Sequence, residues 1–125
     1  FEMTEKVSMM SAQKLAFLGD AVYELLIREK IVNSVDGSIG KLHNLKVSKV
    51  CCEAQSEMLS KIESILTEEE LAVYKRGRNV QTGRVPKNSA PGVYRRATGL
   101  EALFGYLYLT GNMERAYEFL KIMDV

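Results

Sequence analysis

Two acids, Asp20 and Glu101, stand where chemistry could be done. Asp20 lies in Leu15–Glu24, LAFLGDAVYE, a run otherwise almost wholly apolar, with Gly19 directly before it. Glu101 repeats the pattern in Leu100–Leu109, LEALFGYLYL. A buried carboxylate is costly unless a cation, a donor or a metal compensates it. Two such acids far apart in sequence predict a site assembled between two core helices. A structural ion pair or helix cap would satisfy them. So would Mg²⁺, which takes oxygen ligands, keeps several waters and needs only one or two protein carboxylates. The small neighbours Ala97, Thr98 and Gly105 leave room for water and a hard cation. On the residues alone these two readings stand level.

Lys75–Arg96, KRGRNVQTGRVPKNSAPGVYRR, is the least core-like stretch. It carries Lys75, Arg76, Arg78, Arg84, Lys87, Arg95 and Arg96, with no Asp or Glu, and both prolines of the chain, Pro86 and Pro91. Such a segment reads as a long surface loop. Its charges and amide and hydroxyl donors suit a phosphate backbone, the plain alternative being a solvated face. Tyr94, beside Arg95 and Arg96, is placed to touch a sugar, the more common role of a single tyrosine being packing. His43 is the only histidine, and Cys51 and Cys52 are adjacent, so no zinc spacing exists. A ribonuclease working without metal wants a general acid and a general base, often two histidines; cleavage by this chain would be metal-assisted. Neither cysteine has a convincing partner for nucleophilic catalysis. Adjacent cysteines rarely make an unstrained disulfide, and reduced thiols of a cytosolic protein are expected.

The elements that must position these residues follow from patterning. The 125 residues, 46% hydrophobic and 26% charged with net charge +1, predict one domain, residues 1–125, with a real core. That net charge announces no polyanion; its distribution matters more. No apolar run reaches the ~20 residues of a membrane span, and no signal-peptide pattern is visible, so a cytoplasmic protein without membrane association is expected. Ser11 is a predicted N-cap for a helix running to about Lys30. That helix is apolar nearly all round, hence buried or shared with a second subunit, and Gly19 in its interior predicts close approach of another backbone. Asn33–Gly40 is a turn. A helical region, broken once, follows from about Ile39 to Leu66. Thr67 and Glu70 form a capping box for a helix through about Arg76, with Gly77 placed to end it. Helix resumes near Tyr94 and runs to Leu109, and a last one spans about Met113–Met123. With no strong strand signals, the predicted fold class is all-α.

The same stretches carry a resemblance. FLGDAVYE, residues 17–24, resembles the signature of the ribonuclease III family, and LEALFGYLYLTG, residues 100–111, resembles that family's second acidic motif. LHNLKVSKVCCEAQ resembles the helix between them. KRGRN…TGRVPKN…YRRATGLEALFGYLYL resembles the short Mini-III branch. The resemblance implies the all-helical ribonuclease III endonuclease-domain fold and a homodimer. It implies a Mg²⁺-dependent endonuclease, with Mn²⁺ as substitute, that cuts double-stranded RNA to 5′-phosphate and 3′-hydroxyl ends. It also implies maturation of the large-subunit (23S) ribosomal RNA precursor in the bacterial cytoplasm, with a ribosomal protein or the pre-ribosome as a further partner. Asp20 and Glu101 match the catalytic metal ligands, and Phe17 matches a dimer-interface residue. Ala16 and Thr98 stand where most of the family has two further acids, a loss typical of the short branch that leaves the number of metals open. Only residues 112–125 follow Gly111, too few for an appended double-stranded-RNA-binding domain, so RNA contact is expected from the catalytic domain and its basic loop. The alternatives are a catalytically silent RNA-binding or ribosome-assembly module on the same fold, and a helical interaction dimer whose acids are structural pairs.

Overall fold

The computed structural model describes residues 6–80 and 90–124. Among them are six α-helices: α1 (Ala12–Ser34), α2 (Ile39–Val50), α3 (Cys52–Ile62), α4 (Glu68–Arg78), α5 (Pro91–Leu109) and α6 (Met113–Met123). Short 3-10 turns occupy Val7–Met9 and Glu63–Ile65, and the described residues form no strand. The fold is all-α.

Local chemistry sets several helix ends. The Ser11 hydroxyl accepts from the Lys14 amide at 3.2 Å, and Ser38 does the same for Lys41 at 3.2 Å. Thr67 and Glu70 make the reciprocal capping box, at 3.1 Å and 2.8 Å. Each such cap satisfies N-terminal amides that the helix itself leaves orphaned. Gly111, at φ +73°, takes the left-handed turn after α5, and the Asn112 amide folds back to donate to Leu107 O at 2.8 Å.

Helix α5 is the axis of the molecule. It packs on α1, α4, α3 and α6, while α2 lies against α1. Tyr23, Ile27, Leu59, Ile62, Leu100, Leu103, Phe104, Leu107 and Phe119 fill the core at essentially zero exposure. Tyr23 and Phe104 meet edge-to-face with centroids 5.1 Å apart. Two glycine crossings bring backbones together. A Cβ on Gly19 would lie 1.6 Å from the Glu101 carbonyl oxygen, and one on Gly105 would lie 2.1 Å from that of Leu15. The close approach expected at Gly19 is therefore made by α5.

Three expectations are corrected. Gly77 does not end α4: it lies within the helix, where its missing side chain admits Ala102 and Gly99 of α5. Helix α5 opens at Pro91 rather than near Tyr94, because proline lacks the amide that a first helical position cannot use. Helix α1 continues through Asn33 and Ser34, residues expected in a turn.

Candidate active site

The α1–α5 crossing sets the site. Gly19 lies against the Glu101 backbone, so the next residue, Asp20, and the Glu101 side chain emerge together. Both line an open cleft of about 210 Å³, together with Ala16, Phe17, Tyr94 and Thr98. Asp20 is exposed and Glu101 half-buried. The Thr98 hydroxyl donates to Tyr94 O at 3.1 Å, so its proton is spent on its own helix.

Electrostatics follow from this packing. Burial, and then the neighbouring Asp20, push the Glu101 carboxyl up to about 8, while a hydrogen bond with Gln55 pulls the other way. This packing favours the protonated form of Glu101, and a cation between the two carboxylates would favour the charged form. Tyr23 lies beneath, its hydroxyl donating to Met58 Sδ at 2.7 Å, and burial pushes that hydroxyl well above its usual range.

The donor set fits a hard divalent cation rather than a soft one. Among the described residues no group of three or more His, Cys, Asp or Glu converges. Two carboxylates in an open, small-walled cleft suit an ion that keeps most of its water, as Mg²⁺ does. A Cys or His set for zinc is absent among the described residues, where Cys51 and Cys52 are half-buried. His43 is exposed on α2 and does not line the cleft.

The basic residues are distributed differently from a single loop. Lys75, Arg76 and Arg78 lie in the last turns of α4, and Arg95 and Arg96 lie in α5; Arg84 and Lys87 fall outside the described residues. Helix propensity and the Gly77–α5 contact extend α4 into the segment, and Pro91 starts α5 inside it. Several charges hold the protein itself. Arg96 donates to the Ser56 hydroxyl at 3.0 Å, to Ser56 O at 3.2 Å and to the Ser60 hydroxyl at 2.7 Å, with Glu63 at 3.6 Å. It is a clamp between α5 and α3. Arg76 donates to Met10 O at 2.5 Å, and Arg78 sits 5.8 Å over the Tyr74 ring while bonding Asn79 at 3.2 Å. Lys75 and Arg95 are exposed.

Phe17 points outward, 86% exposed at the rim of the cleft. Leu25 (63%) and Val32 (69%) stand exposed further along α1, so the helix that is apolar nearly all round is buried on one side only.

Two polar features are not announced by local sequence. Gln55 is 2% exposed on α3 and is the partner of Glu101. Its signal was a lone amide in phase with Met58, Leu59 and Ile62, the buried face of its helix. The second is the pair Glu70–Arg115, which borders a larger polar cleft of about 540 Å³ remote from the acids. Its groups are already spent: Arg115 donates to both Glu70 oxygens at 2.8 Å and 2.9 Å and to Ile65 O at 2.9 Å.

Comparison with known proteins matches residues 13–112 to the Ribonuclease III domain. The chain is 44% identical over 118 residues to Mini-ribonuclease 3 of Thermoanaerobacter sp. (strain X514), spanning 94% of this chain and 83% of the relative. It is 40% identical over 120 residues to Mini-ribonuclease 3 of Clostridium tetani, spanning 95% and 80%. A crystal structure of a Fusobacterium nucleatum protein superposes with a TM-score of 0.85 at 33% identity, covering 95% of each chain.

Proposed function

The chain belongs to the ribonuclease III family, and from that premise we propose that it is a Mg²⁺-dependent endoribonuclease of double-stranded RNA that acts as a homodimer. The observation that carries the reading is the apposition of Asp20 and Glu101 in one small-walled cleft. Asp20 and Glu101 hold the cation. When bound, Mg²⁺ supplies a water of lowered pKa and offsets charge at the scissile phosphate. A bound cation would require Glu101 in its charged form, and Ala16 and Thr98 leave the space that water and phosphate would need. Products are a 5′-phosphate and a 3′-hydroxyl. The natural substrate is the 23S ribosomal RNA precursor, met in the bacterial cytoplasm with a ribosomal protein or the pre-ribosome as partner. Mn²⁺ substitutes for Mg²⁺.

Exposed Phe17, Leu25 and Val32 on α1 support a twofold interface in which the same face meets itself. Two clefts related by that axis serve the two strands of a duplex, which A-form RNA presents by shape across its minor groove. Lys75, Arg76, Arg78 and Arg95 supply charge for the RNA backbone, with Arg84 and Lys87, outside the described residues, in the same basic stretch of sequence.

The test is incubation of the dimer with a long double-stranded RNA in Mg²⁺ and in EDTA, beside Asp20→Asn and Glu101→Gln. Cleavage that needs Mg²⁺ and is lost in both variants, with circular dichroism and sedimentation unchanged, supports the assignment. Salt-sensitive RNA binding without cleavage would instead favour a silent RNA-binding module, the reading that Ala16 and Thr98 favour.

A further inference from the structure

Helix α3 contributes no acid to the cleft, yet it presents one polar side chain to the buried side of the site. Gln55 is 2% exposed, and it and Glu70 are the two buried polar or charged residues among those described. Glu70 is accounted for by Arg115 and its capping box. Gln55 faces α5 and is the hydrogen-bonding partner of Glu101. A buried amide on an otherwise apolar helix face is unfavourable unless its bonds are made. The partner it has is the one carboxylate that must be held still.

We propose that Gln55 is a positioning residue for the cation: its side-chain amide fixes the Glu101 carboxylate in the orientation that faces Asp20. The inference rests on the metal-dependent reading of the site given above. The side-chain amide hydrogen-bonds the Glu101 carboxyl and favours its charged form, the form a cation takes. A neutral donor suits this place better than a charged one. Lysine would repel the incoming ion, and a third acid would add repulsion to two carboxylates already pressed together.

The fold holds the amide as firmly as the carboxylate. Arg96 is five positions before Glu101 on α5, and it grips Ser56 and Ser60 on α3 at 3.0 Å and 2.7 Å. Ser56 is the residue after Gln55. The helix that presents Glu101 therefore also pins the helix that orients it. Partners of metal ligands commonly contribute about 10–100-fold to metal affinity or activity by this means.

The experiment compares wild type, Gln55→Met and Asp20→Asn by Mn²⁺ titration, followed by electron paramagnetic resonance on the RNA-free protein. Thermal unfolding is recorded with and without Mn²⁺, and RNA affinity in EDTA. Gln55→Met keeps the side-chain length and apolar packing but removes both donors. The expected result is Mn²⁺ affinity weakened by about 10–100-fold, with the metal-free melting temperature not lowered and RNA affinity in EDTA within about twofold. At saturating Mn²⁺, kcat falls while KM for RNA holds. Gln55→Met binding Mn²⁺ like wild type overturns the role of Gln55 alone. A lowered metal-free melting temperature with unchanged Mn²⁺ affinity also overturns it, and makes the residue a packing element. Wild type that binds no Mn²⁺ through Asp20 overturns the metal site itself, and this role with it.

Discussion

Gly19→Ala should unfold the protein more readily and weaken the site in the same stroke. The added Cβ would lie 1.6 Å from Glu101 O and 2.8 Å from the Gly105 amide nitrogen, both backbone atoms that cannot rotate aside. Opening that contact to the 3.0 Å that real Cβ atoms respect parts α1 from α5 by about 1.4 Å. A gap of ~0.5–1 Å already forfeits a quarter to a half of the dispersion between facing atoms. Overpacking typically costs ~1–3 kcal/mol, and this one moves backbone rather than side chain. The alanine returns up to ~1 kcal/mol of helix propensity. From the upper end of that range, because backbone must move, the net expectation is a loss of roughly 2–3 kcal/mol. Urea unfolding is the assay, with Gly92→Ala as control. Gly92 lies in the first turn of α5, where an added Cβ would meet nothing within 4 Å, so the control should be neutral or mildly stabilised. Under conditions where both proteins are folded, Gly19→Ala should also lose more cleavage activity than Gly92→Ala, because Asp20 moves with it. A Gly19→Ala midpoint within about 0.5 kcal/mol of wild type would refute the close crossing, and with it the reason Asp20 and Glu101 meet.

Other perturbations probe separate parts. In EDTA, Glu101 carries a proton that the unfolded chain lacks between its ordinary 4.5 and about 8. Its contribution to stability is full below the lower value, is lost as pH rises through the window and is level above it. The melting-temperature difference between Glu101→Gln and wild type should therefore grow from pH 5 to pH 9, and a flat difference would show that Glu101 ionises normally. Arg115→Ala strands Glu70, 4% exposed, without the guanidinium bonds of 2.8 Å and 2.9 Å. A buried carboxylate left without its cation costs roughly 3–5 kcal/mol; adding Glu70→Gln should restore part of that in denaturant unfolding, and no restoration would sink the ion-pair account. Arg95→Glu and Arg96→Ala should behave oppositely. The first should flatten the salt dependence of RNA binding at unchanged melting temperature. The second should lower the melting temperature and leave the salt slope alone, and equal salt slopes for Arg95→Glu and wild type would remove Arg95 from the RNA surface.

Much of the fold was legible because its signals are local. Ser11, Thr67 and Glu70 announce helix starts through the side-chain bonds they make to neighbouring amides. Gly19 announced a close approach because a glycine inside an apolar helix serves little else. What is not local was not legible. Gly77 follows basic residues as a terminating glycine would, and only Ala102 and Gly99, on another helix, make it an interior contact. Arg96 reads as one more charge in a basic run until α3 brings Ser56 and Ser60 to its guanidinium. Gln55 carried a weak periodic signal, but nothing near it in sequence says that Glu101 is its partner. The two acids were conspicuous for the opposite reason, since each contradicts its own apolar surroundings.

The shortened acid set is consistent with this crossing. Ala16 and Thr98 line the same open cleft as Asp20 and Glu101, so acids at those positions would stand beside the two already there. Two carboxylates there already push Glu101 far above its ordinary range, and two more would add like charge beside a backbone contact that cannot open. Alanine at position 16 is 8% exposed and clusters with Leu15, Val73 and Ala102 at the edge of the cleft. Threonine at position 98 returns its proton to its own helix and brings no charge. With neutral residues at 16 and 98, the metal-free protein carries less like charge beside its close α1–α5 crossing. A neutral amide at Gln55 is consistent with this, since it hydrogen-bonds Glu101 without adding charge.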